Sequence, residues 1–237
     1  MKRAAEFVGL SVEALTPLAD EQRAAGMAAY MRGQFLYLGI ATPVHRALIN
    51  PLIRAFEPES AASLREAVDA LWKKPEREFQ YVGLGLIGRH QANLGAADIP
   101  WLLGLVQRKS WWDTVDSLAK PVGAVVRRTG AKGRRHMDRA VRHKDFWVRR
   151  IAMIHQLGCR AETDTALLFD YARLLAPEKE FFVRKAIGWA LRDYAWHDWR
   201  AIEAFLEAEG EQFSGLTRRE AAKNIPRLKL RAIKKGA

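Results

Sequence analysis

The sequence predicts an all-α fold built from repeated helices, and three observations support this prediction. Apolar residues recur at spacings of three and four along most of the chain, which is the period of an amphipathic helix. Alternating runs typical of β-strands are short and few. Aromatic residues begin several of the helical stretches at a nearly constant interval. Hydrophobic residues make up 49% and charged residues 28% of the 237, a composition typical of a globular chain and not of a disordered one.

The helical stretches follow one another with proline-containing breaks mainly between them. The strongest predicted helices are Ala62–Leu71, Phe79–Ile87, Phe146–Leu157, Thr165–Leu175 and Phe181–Tyr194. Thr217 and Glu220 have the spacing of a capping box, so we expect the last helix to begin at Arg218. No Gly/Ser-rich linker divides the chain, which favours a single domain over residues 1–237. The sequence leaves open whether its basic tail, residues 228–237, is ordered.

A weak internal repeat organises these helices. Four segments begin with a polar residue followed by an aromatic one, at Glu78, Ser110, Asp145 and Glu180, and their starts are 32, 35 and 35 residues apart. A period of this length is typical of HEAT, armadillo or TPR solenoids. The repeat therefore predicts a HEAT-like (armadillo-type) solenoid in which equivalent helices stack side by side and line one concave surface.

Basic charge is concentrated in two segments. The chain carries a formal charge of +12; residues 127–150 hold 10 basic and 2 acidic residues, and residues 216–237 hold 8 basic and 1 acidic. Such clusters favour a polyanion, above all nucleic acid, because each neutralised phosphate releases counterions. The alternative is a solvated basic face or tail. An anionic membrane surface is the weaker alternative, because neither segment has a broad apolar face.

Several protein classes are excluded or disfavoured. Cys159 is the only cysteine, so no intrachain disulfide forms, and a reducing, cytoplasmic location is expected. No apolar run approaches the ~20 residues needed to cross a bilayer, and Glu6 and Glu13 interrupt the stretch where a signal peptide needs an apolar core. The histidines lack metal-ligand spacing. We expect no metal, no cofactor and no membrane partner.

Four residues share one helix face when they are counted from the repeat starts. Trp112 and Asp116 lie at offsets 2 and 6, Arg150 at offset 5, and Trp189 at offset 9, which are positions i, i+4, i+3 and i+7 of a helix. Stacked equivalent helices would thus present two indoles, a carboxylate and a guanidinium on one wall. The alternative is that the tryptophans are core residues and that Asp116 and Arg150 form a structural ion pair.

Six segments resemble the DNA alkylation-repair glycosylases of the AlkD type. The most specific are KSWWDTVD, FWVRRIAMIHQL and KEFFVRKAIGWALRDYA; the others are AAYMRGQFLYLGIATPVHR, LWKKPEREFQ and LTRREAAKNI. The resemblance implies an all-α HEAT-like fold and excision of cationic N3- and N7-alkylpurines. It also assigns the family's carboxylate to Asp116, its cleft tryptophans to Trp112 and Trp189, and its arginine to Arg150. Residues 121–145 depart from the family pattern and are more basic.

The implied chemistry suits these residue types. An alkylated purine is already cationic and leaves readily, so a single carboxylate, Asp116, suffices to stabilise the electron-poor sugar and position water. Trp112 and Trp189 offer cation–π faces to the lesion, and Arg150 is expected to hold a backbone phosphate. Further expected DNA contacts are Lys185, Arg149, Tyr30 and Arg46. For Lys185 a Schiff-base amine is an alternative, and for Tyr30 ordinary helix packing.

The predicted function is therefore that of a monofunctional DNA glycosylase, acting as a monomer on double-stranded DNA that contains 3-methyladenine or 7-methylguanine. Two alternatives remain: a non-catalytic HEAT-like protein that binds nucleic acid, and a HEAT-type scaffold for an acidic protein.

Overall fold

The computed structural model describes residues 3–234, which form two compact units that divide between Asp98 and Ile99. The all-α prediction is confirmed, because the only β pairing in the described part of the chain is an isolated bridge between Leu36 and Glu76. Between residues 3 and 234, every helix is too short or too polar to traverse a lipid bilayer. The single domain and its concave surface stay predictions.

The first unit packs five helices around an aromatic and aliphatic core. They are α1 (Ala4–Leu15), α2 (Glu21–Tyr30), α3 (Thr42–Ala55), α4 (Ala61–Lys73) and α5 (Arg77–His90). Helix α1 packs against α3 and α4, and α5 packs against the same two helices. Phe7 and Phe56 meet in the centre, with ring centroids 5.0 Å apart and no solvent exposure.

A buried carboxylate fixes the segment between α2 and α3. Glu78 is fully buried at the start of α5, where it accepts hydrogen bonds from the backbone N–H groups of Leu38, Gly39 and Ile40 at 3.0, 2.9 and 3.3 Å. Gly39 has a φ of +86°, and a Cβ there would lie 2.2 Å from the carbonyl oxygen of Asp20. Only glycine fits this turn without strain.

The second unit arranges its helices in two rows. They are α6 (Ile99–Val106), α7 (Trp112–Thr129), α8 (Ala131–Ala140), α9 (Phe146–Ile154), α10 (Thr165–Leu175), α11 (Phe181–Ala195), α12 (Trp199–Glu209), α13 (Gly215–Ala222) and α14 (Ile225–Lys234). Helices α7, α9, α11 and α13 contact one another in that order, and we call them the first row. Helix α8 packs against α7 and α9, α10 against α9 and α11, and α12 against α11 and α13; we call these the second row.

The repeat predicted from the sequence is the spacing of the first-row helices. Their N-cap residues are Trp111, Asp145, Glu180 and Ser214, which are 34, 35 and 34 residues apart. The first three lie at or next to the predicted starts, and the period continues to Ser214, which the sequence analysis missed. The predicted start at Glu78 falls in the first turn of α5.

The structure corrects the predicted C-terminal helix. The N-cap of α13 is Ser214, whose hydroxyl accepts the backbone N–H of Thr217 at 3.1 Å. Thr217 is thus inside the helix, where its hydroxyl donates to the carbonyl oxygen of Arg184. Helix α14 follows, so the helix predicted at Arg218 is not the last. Residues 228–234 of the predicted tail belong to α14, and residues 235–237 lie outside the described residues.

The sequence suggested that prolines lie mainly between helices, but two of them lie inside helices. They are Pro51 in α3 and Pro121 in α7. A proline removes one backbone hydrogen bond, but Pro121 is buried in the packed face of α7. The apolar contacts of that 18-residue helix outweigh the loss.

Helices α11 and α13 of the first row approach each other closely. A Cβ placed on Gly188 would lie 2.5 Å from the Cβ of Glu220 and 2.8 Å from the carbonyl oxygen of Thr217. Since no real Cβ tolerates such distances, glycine is required for these two helices to pack as they do.

Gly188→Ala should therefore lower the free energy of unfolding by about 1–3 kcal/mol, because α11 and α13 must separate. The matched control is Gly104→Ala in α6, where a Cβ meets nothing within 4 Å, and where alanine should raise stability by up to about 1 kcal/mol. Urea unfolding followed by circular dichroism measures both. Equal effects of the two substitutions would contradict the close approach.

A buried histidine makes stability depend on pH. His155 follows α9 and is 4% exposed, and its Nδ1 donates to the carbonyl oxygen of Ala152 at 2.7 Å. Burial lowers the pKa of this imidazole from 6.5 to about 4, which outweighs the raising effect of the hydrogen bond. Between these two pH values the imidazole is protonated in the unfolded chain and neutral in the folded chain. The contribution of His155 to the free energy of unfolding is therefore complete above pH 6.5 and falls as the pH drops toward 4.

Acidification from pH 7 to pH 5 should cost the wild-type protein about 2 kcal/mol of unfolding free energy through His155 alone. His155→Gln, whose side-chain amide can still donate to a carbonyl oxygen, should lose that share of the pH dependence. Urea titrations of both proteins at the two pH values measure it. The proposed origin is wrong if the variant shows the full wild-type difference.

Candidate active site

An ion pair between α7 and α9 lies at the centre of the candidate site. Arg150 donates from Nε to Oδ1 of Asp116 at 2.7 Å and from Nη2 to Oδ2 at 2.8 Å. This bidentate arrangement is the strongest interaction that an arginine and a carboxylate form. It holds the carboxylate of Asp116 in one orientation.

The guanidinium of Arg150 is enclosed by protein. Its side chain is only 4% exposed, and Nη1 donates to the carbonyl oxygen of Phe182 at the start of α11. Its Cζ lies 5.8 Å from the ring centroid of Trp189 and 6.0 Å from that of Phe182. A buried arginine needs such acceptors, because an unpaired charge in the interior is strongly destabilising.

Asp116 differs from its partner in exposure. Its side chain is 19% exposed, against 4% for Arg150. The carboxylate is therefore held from the protein side and still reaches solvent. The ion pair that the sequence analysis gave as an alternative is present, but it does not bury the carboxylate.

The charged residues of the site occupy equivalent positions of successive first-row helices. Asp116, Arg150 and Lys185 each lie five residues after the N-cap of their helix. Lys185 pairs with Glu220 of α13, and Arg192 contacts the same carboxylate. The row thus carries the charge sequence negative, positive, positive, negative, with each carboxylate bound to the neighbouring cation.

Aromatic residues occupy the first position of the same helices. Trp112, Phe146 and Phe181 each directly follow an N-cap residue, and Phe181 is 56% exposed. Trp112 lies one turn before Asp116, so both residues are on one face of α7.

Behind these first positions, a second set of rings packs the helix starts together. Trp147 lies 4.6 Å from Phe182 and 6.0 Å from Trp111, and Trp111 lies 5.4 Å from Phe182, measured between ring centroids. This cluster fixes the helix starts of α7, α9 and α11 relative to one another. The positions of Asp116, Arg150 and Trp189 depend on that alignment.

The structure brings together three of the four residues expected at the cleft. Asp116, Arg150 and Trp189 contact one another through the guanidinium, and Trp112 shares the helix face of Asp116. Lys185 lies one turn before Trp189 on α11, and its side chain is 41% exposed.

Of the remaining predicted DNA contacts, one lies in the second unit and two lie in the first. Arg149 points away from the ion pair, because its Nη1 donates to the carbonyl oxygens of His143 and Lys144 and its guanidinium pairs with Glu178. Tyr30 is 73% exposed at the end of α2, and Arg46 is exposed on α3; both belong to the first unit.

Sequence analysis missed two contributors to the site. The carbonyl oxygen of Phe182 left no signal, because a backbone acceptor is independent of residue type. Glu220 was assigned to a capping box, although its distance of 35 residues from Lys185 matches the repeat period and indicates contact between neighbouring helices. Among the described residues, no group of three or more His, Cys, Asp or Glu side chains is placed to hold a metal ion.

Comparison with known proteins identifies a matching family and a similar solved structure. The model of the DNA alkylation repair enzyme family matches residues 12–225. A solved structure, a predicted DNA alkylation repair enzyme from Enterococcus faecalis, is similar to this chain with 30% sequence identity and a TM-score of 0.74. The similarity covers 85% of this chain and 94% of that one. No curated protein sequence matches significantly.

The ion pair can be tested by a double-mutant cycle. Asp116→Ala should lower the free energy of unfolding by about 3 kcal/mol, because it leaves the buried Arg150 unpaired. The double variant Asp116→Ala/Arg150→Ala should cost less than the sum of its single substitutions by at least about 1 kcal/mol. The control cycle uses the exposed pair of Arg218 and Glu211, whose coupling should stay below about 1 kcal/mol. Equal coupling energies in both cycles would mean that burial does not strengthen the interaction between Asp116 and Arg150.

Proposed function

The chain belongs to the DNA alkylation repair enzyme family, and we propose from this premise that it is a DNA glycosylase that excises cationic N3- and N7-alkylpurines, such as 3-methyladenine and 7-methylguanine. The family assignment confirms the resemblance seen in six sequence segments. The single observation that carries the proposal is the carboxylate of Asp116, held by Arg150 and still reaching solvent beside Trp189.

The proposed reaction needs one carboxylate. The bond between the sugar C1′ and N9 of the alkylated purine breaks, its electron pair stays with the base, and the base leaves neutral. Positive charge develops on the sugar, and a nearby carboxylate stabilises it. Water then bonds to C1′ and loses a proton toward Asp116 or solvent. No group is needed to protonate the base, because its alkylation already made it a good leaving group.

We assign Arg150 a positioning role in this reaction. Its Nε, Nη1 and Nη2 atoms all have protein acceptors, and its side chain is 4% exposed. This arrangement favours orientation of the Asp116 carboxylate over the phosphate contact expected from the sequence.

The remaining predicted residues complete the proposal. Trp112 and Trp189 offer rings on the first-row face that carries Asp116, and a cationic base gains about 0.5–2 kcal/mol from each ring it faces. The two indoles thus favour charged over neutral purines. The DNA contacts proposed for the second unit are Lys185 and Arg149, and those for the first unit are Tyr30 and Arg46; Lys185 is the more exposed of the first two. A monomer in the cytoplasm, acting on double-stranded DNA without a cofactor, remains part of the proposal.

Asp116→Asn should reduce the rate of base release from methylated duplex DNA by about 100-fold or more, because the amide carries no charge to stabilise the sugar. Affinity for the same duplex should change by less than about twofold, since exposed cations carry most of the binding. Single-turnover release of 7-methylguanine and 3-methyladenine, with binding measured by fluorescence anisotropy, tests both statements.

The control for this experiment is Asp113→Asn, which removes another carboxylate of α7 and should keep wild-type excision. Circular dichroism establishes that each variant is folded. If wild-type protein releases neither base above background while it binds the duplex, the chain is a non-catalytic binding protein and the proposal fails. If it does not bind duplex DNA at all, the scaffold alternative gains support.

A further inference from the structure

A row of basic side chains runs along α8, a second-row helix. Lys132, Arg135, Arg139 and Arg142 follow one another at spacings of three, four and three residues, and all are exposed. At 100° per residue the three that lie within α8, Lys132, Arg135 and Arg139, fall within an arc of about 60° and extend over about 10 Å of helix axis, and Arg142 lies in the turn that follows α8. We call these four residues the α8 basic face.

The opposite side of α8 is the packed side. Gly133, Met137 and Ala140 are buried there, with the same spacing of four and three residues. Gly133 allows a close approach to α7, since a Cβ on it would lie 2.8 Å from the Cα of Val126. Because the packed side contacts both α7 and α9, the α8 basic face points away from the row that carries Asp116, Arg150 and Lys185.

The charges of this face are not neutralised by the protein. Lys132, Arg135 and Arg139 make no ion pair with any residue between 3 and 234. Asp138 is the only acidic residue from 127 to 144.

The nearby carboxylates are engaged by residues outside the α8 basic face. Asp138 accepts the hydroxyl of Tyr171 at 2.8 Å and lies 3.9 Å from Arg134, which also binds Asp164. Arg134 thus takes up the local negative charge and leaves the α8 basic face positive.

The surroundings indicate which polyanion fits. No large apolar side chain is exposed between residues 127 and 145, so the face lacks the apolar anchors that interfacial membrane binding requires. The three cations on α8 extend over about 10 Å, which is enough to face more than one phosphate, because the phosphates of one DNA strand succeed one another every ~3.4 Å along the axis.

From these observations we propose that the α8 basic face is a second binding site for duplex DNA, which contacts phosphates without reading sequence. One chain then holds two duplex segments at once, one on the first-row face and one on α8. The second contact keeps the protein on DNA while the first-row face searches another segment. This inference concerns binding alone and does not depend on excision.

The test uses two lesion-free duplexes of 16 base pairs, one labelled with a donor fluorophore and one with an acceptor. Wild-type protein should bring them together and give energy transfer, with two duplexes per chain in sedimentation velocity. The variant Lys132→Ala/Arg135→Ala/Arg139→Ala should need about 10-fold more protein for the same transfer. Its second binding event should also depend less on salt, with the slope of log affinity against log salt reduced by about 2–3.

The matched control, Arg54→Ala/Arg89→Ala/Arg160→Ala, removes three exposed positive charges outside α8 and should retain wild-type energy transfer. Excision by the α8 variant from a single short duplex should stay within about twofold of the wild-type rate. If wild-type protein shows no excision, the proposed function fails while the energy-transfer result still tests this inference.

Three outcomes would overturn the second site. The wild-type protein binds one duplex per chain and gives no energy transfer, or the α8 variant transfers as well as the control. In the third outcome, the α8 variant loses the first duplex together with the second, which would assign the α8 basic face to the same duplex as Asp116. Binding to phosphatidylserine vesicles is measured in parallel, and loss of vesicle binding with unchanged energy transfer would assign the face to a membrane.

Discussion

The buried guanidinium of Arg150 is the constraint on which the second unit's site depends. Removing an arginine from water costs several kcal/mol, which is recovered only when its donors have acceptors. Arg150 finds two in the carboxylate of Asp116 on α7 and one in the carbonyl oxygen of Phe182 on α11, while it stands on α9 itself. Any shift of one helix against the others would break one of these bonds. The same interaction thus aligns three helices and orients the carboxylate.

The repeat makes this interaction geometrically simple. Asp116, Arg150 and Lys185 lie at one position of three successive helices, five residues after the N-cap, so a residue on one helix needs no special loop to reach the next. The spacing between helices is set by small residues: Gly188 lets α13 approach α11 until backbone and side chain touch. Local helix chemistry fixes the register and packing fixes the distance, and together they place side chains that are about 35 residues apart in sequence.

Sequence reasoning predicted what depends on periodicity. The helices, the repeat of the first row and the helix face shared by Asp116, Arg150 and Trp189 follow from spacings of three, four and 35 residues. It did not predict what depends on side-chain direction. The position of Arg150 relative to the repeat start places it on the helix face of Asp116. That position does not decide whether its guanidinium binds a DNA phosphate or the carboxylate of Asp116. Thr217 and Glu220 have the spacing of a capping box, yet the N-cap of α13 is Ser214, whose hydroxyl accepts the backbone N–H of Thr217. Glu220 instead binds Lys185 of the neighbouring helix.

The distribution of charge separates local chemistry from attraction to DNA. Along the first row, Asp116 cancels Arg150, and Glu220 pairs with both Lys185 and Arg192, so these five residues leave a single net positive charge, which salt screens beyond about 8–10 Å. A near-neutral site suits the proposed reaction, because an excess of positive charge beside the sugar would oppose the charge that develops there. The cations that attract a polyanion must then lie elsewhere, and α8 is one described helix that carries such cations outside any ion pair, at Lys132, Arg135 and Arg139. The proposed reaction needs a carboxylate beside a developing cation, whereas strong binding to phosphates needs an excess of positive charge. Placing the carboxylate and the excess positive charge on different helices meets both needs.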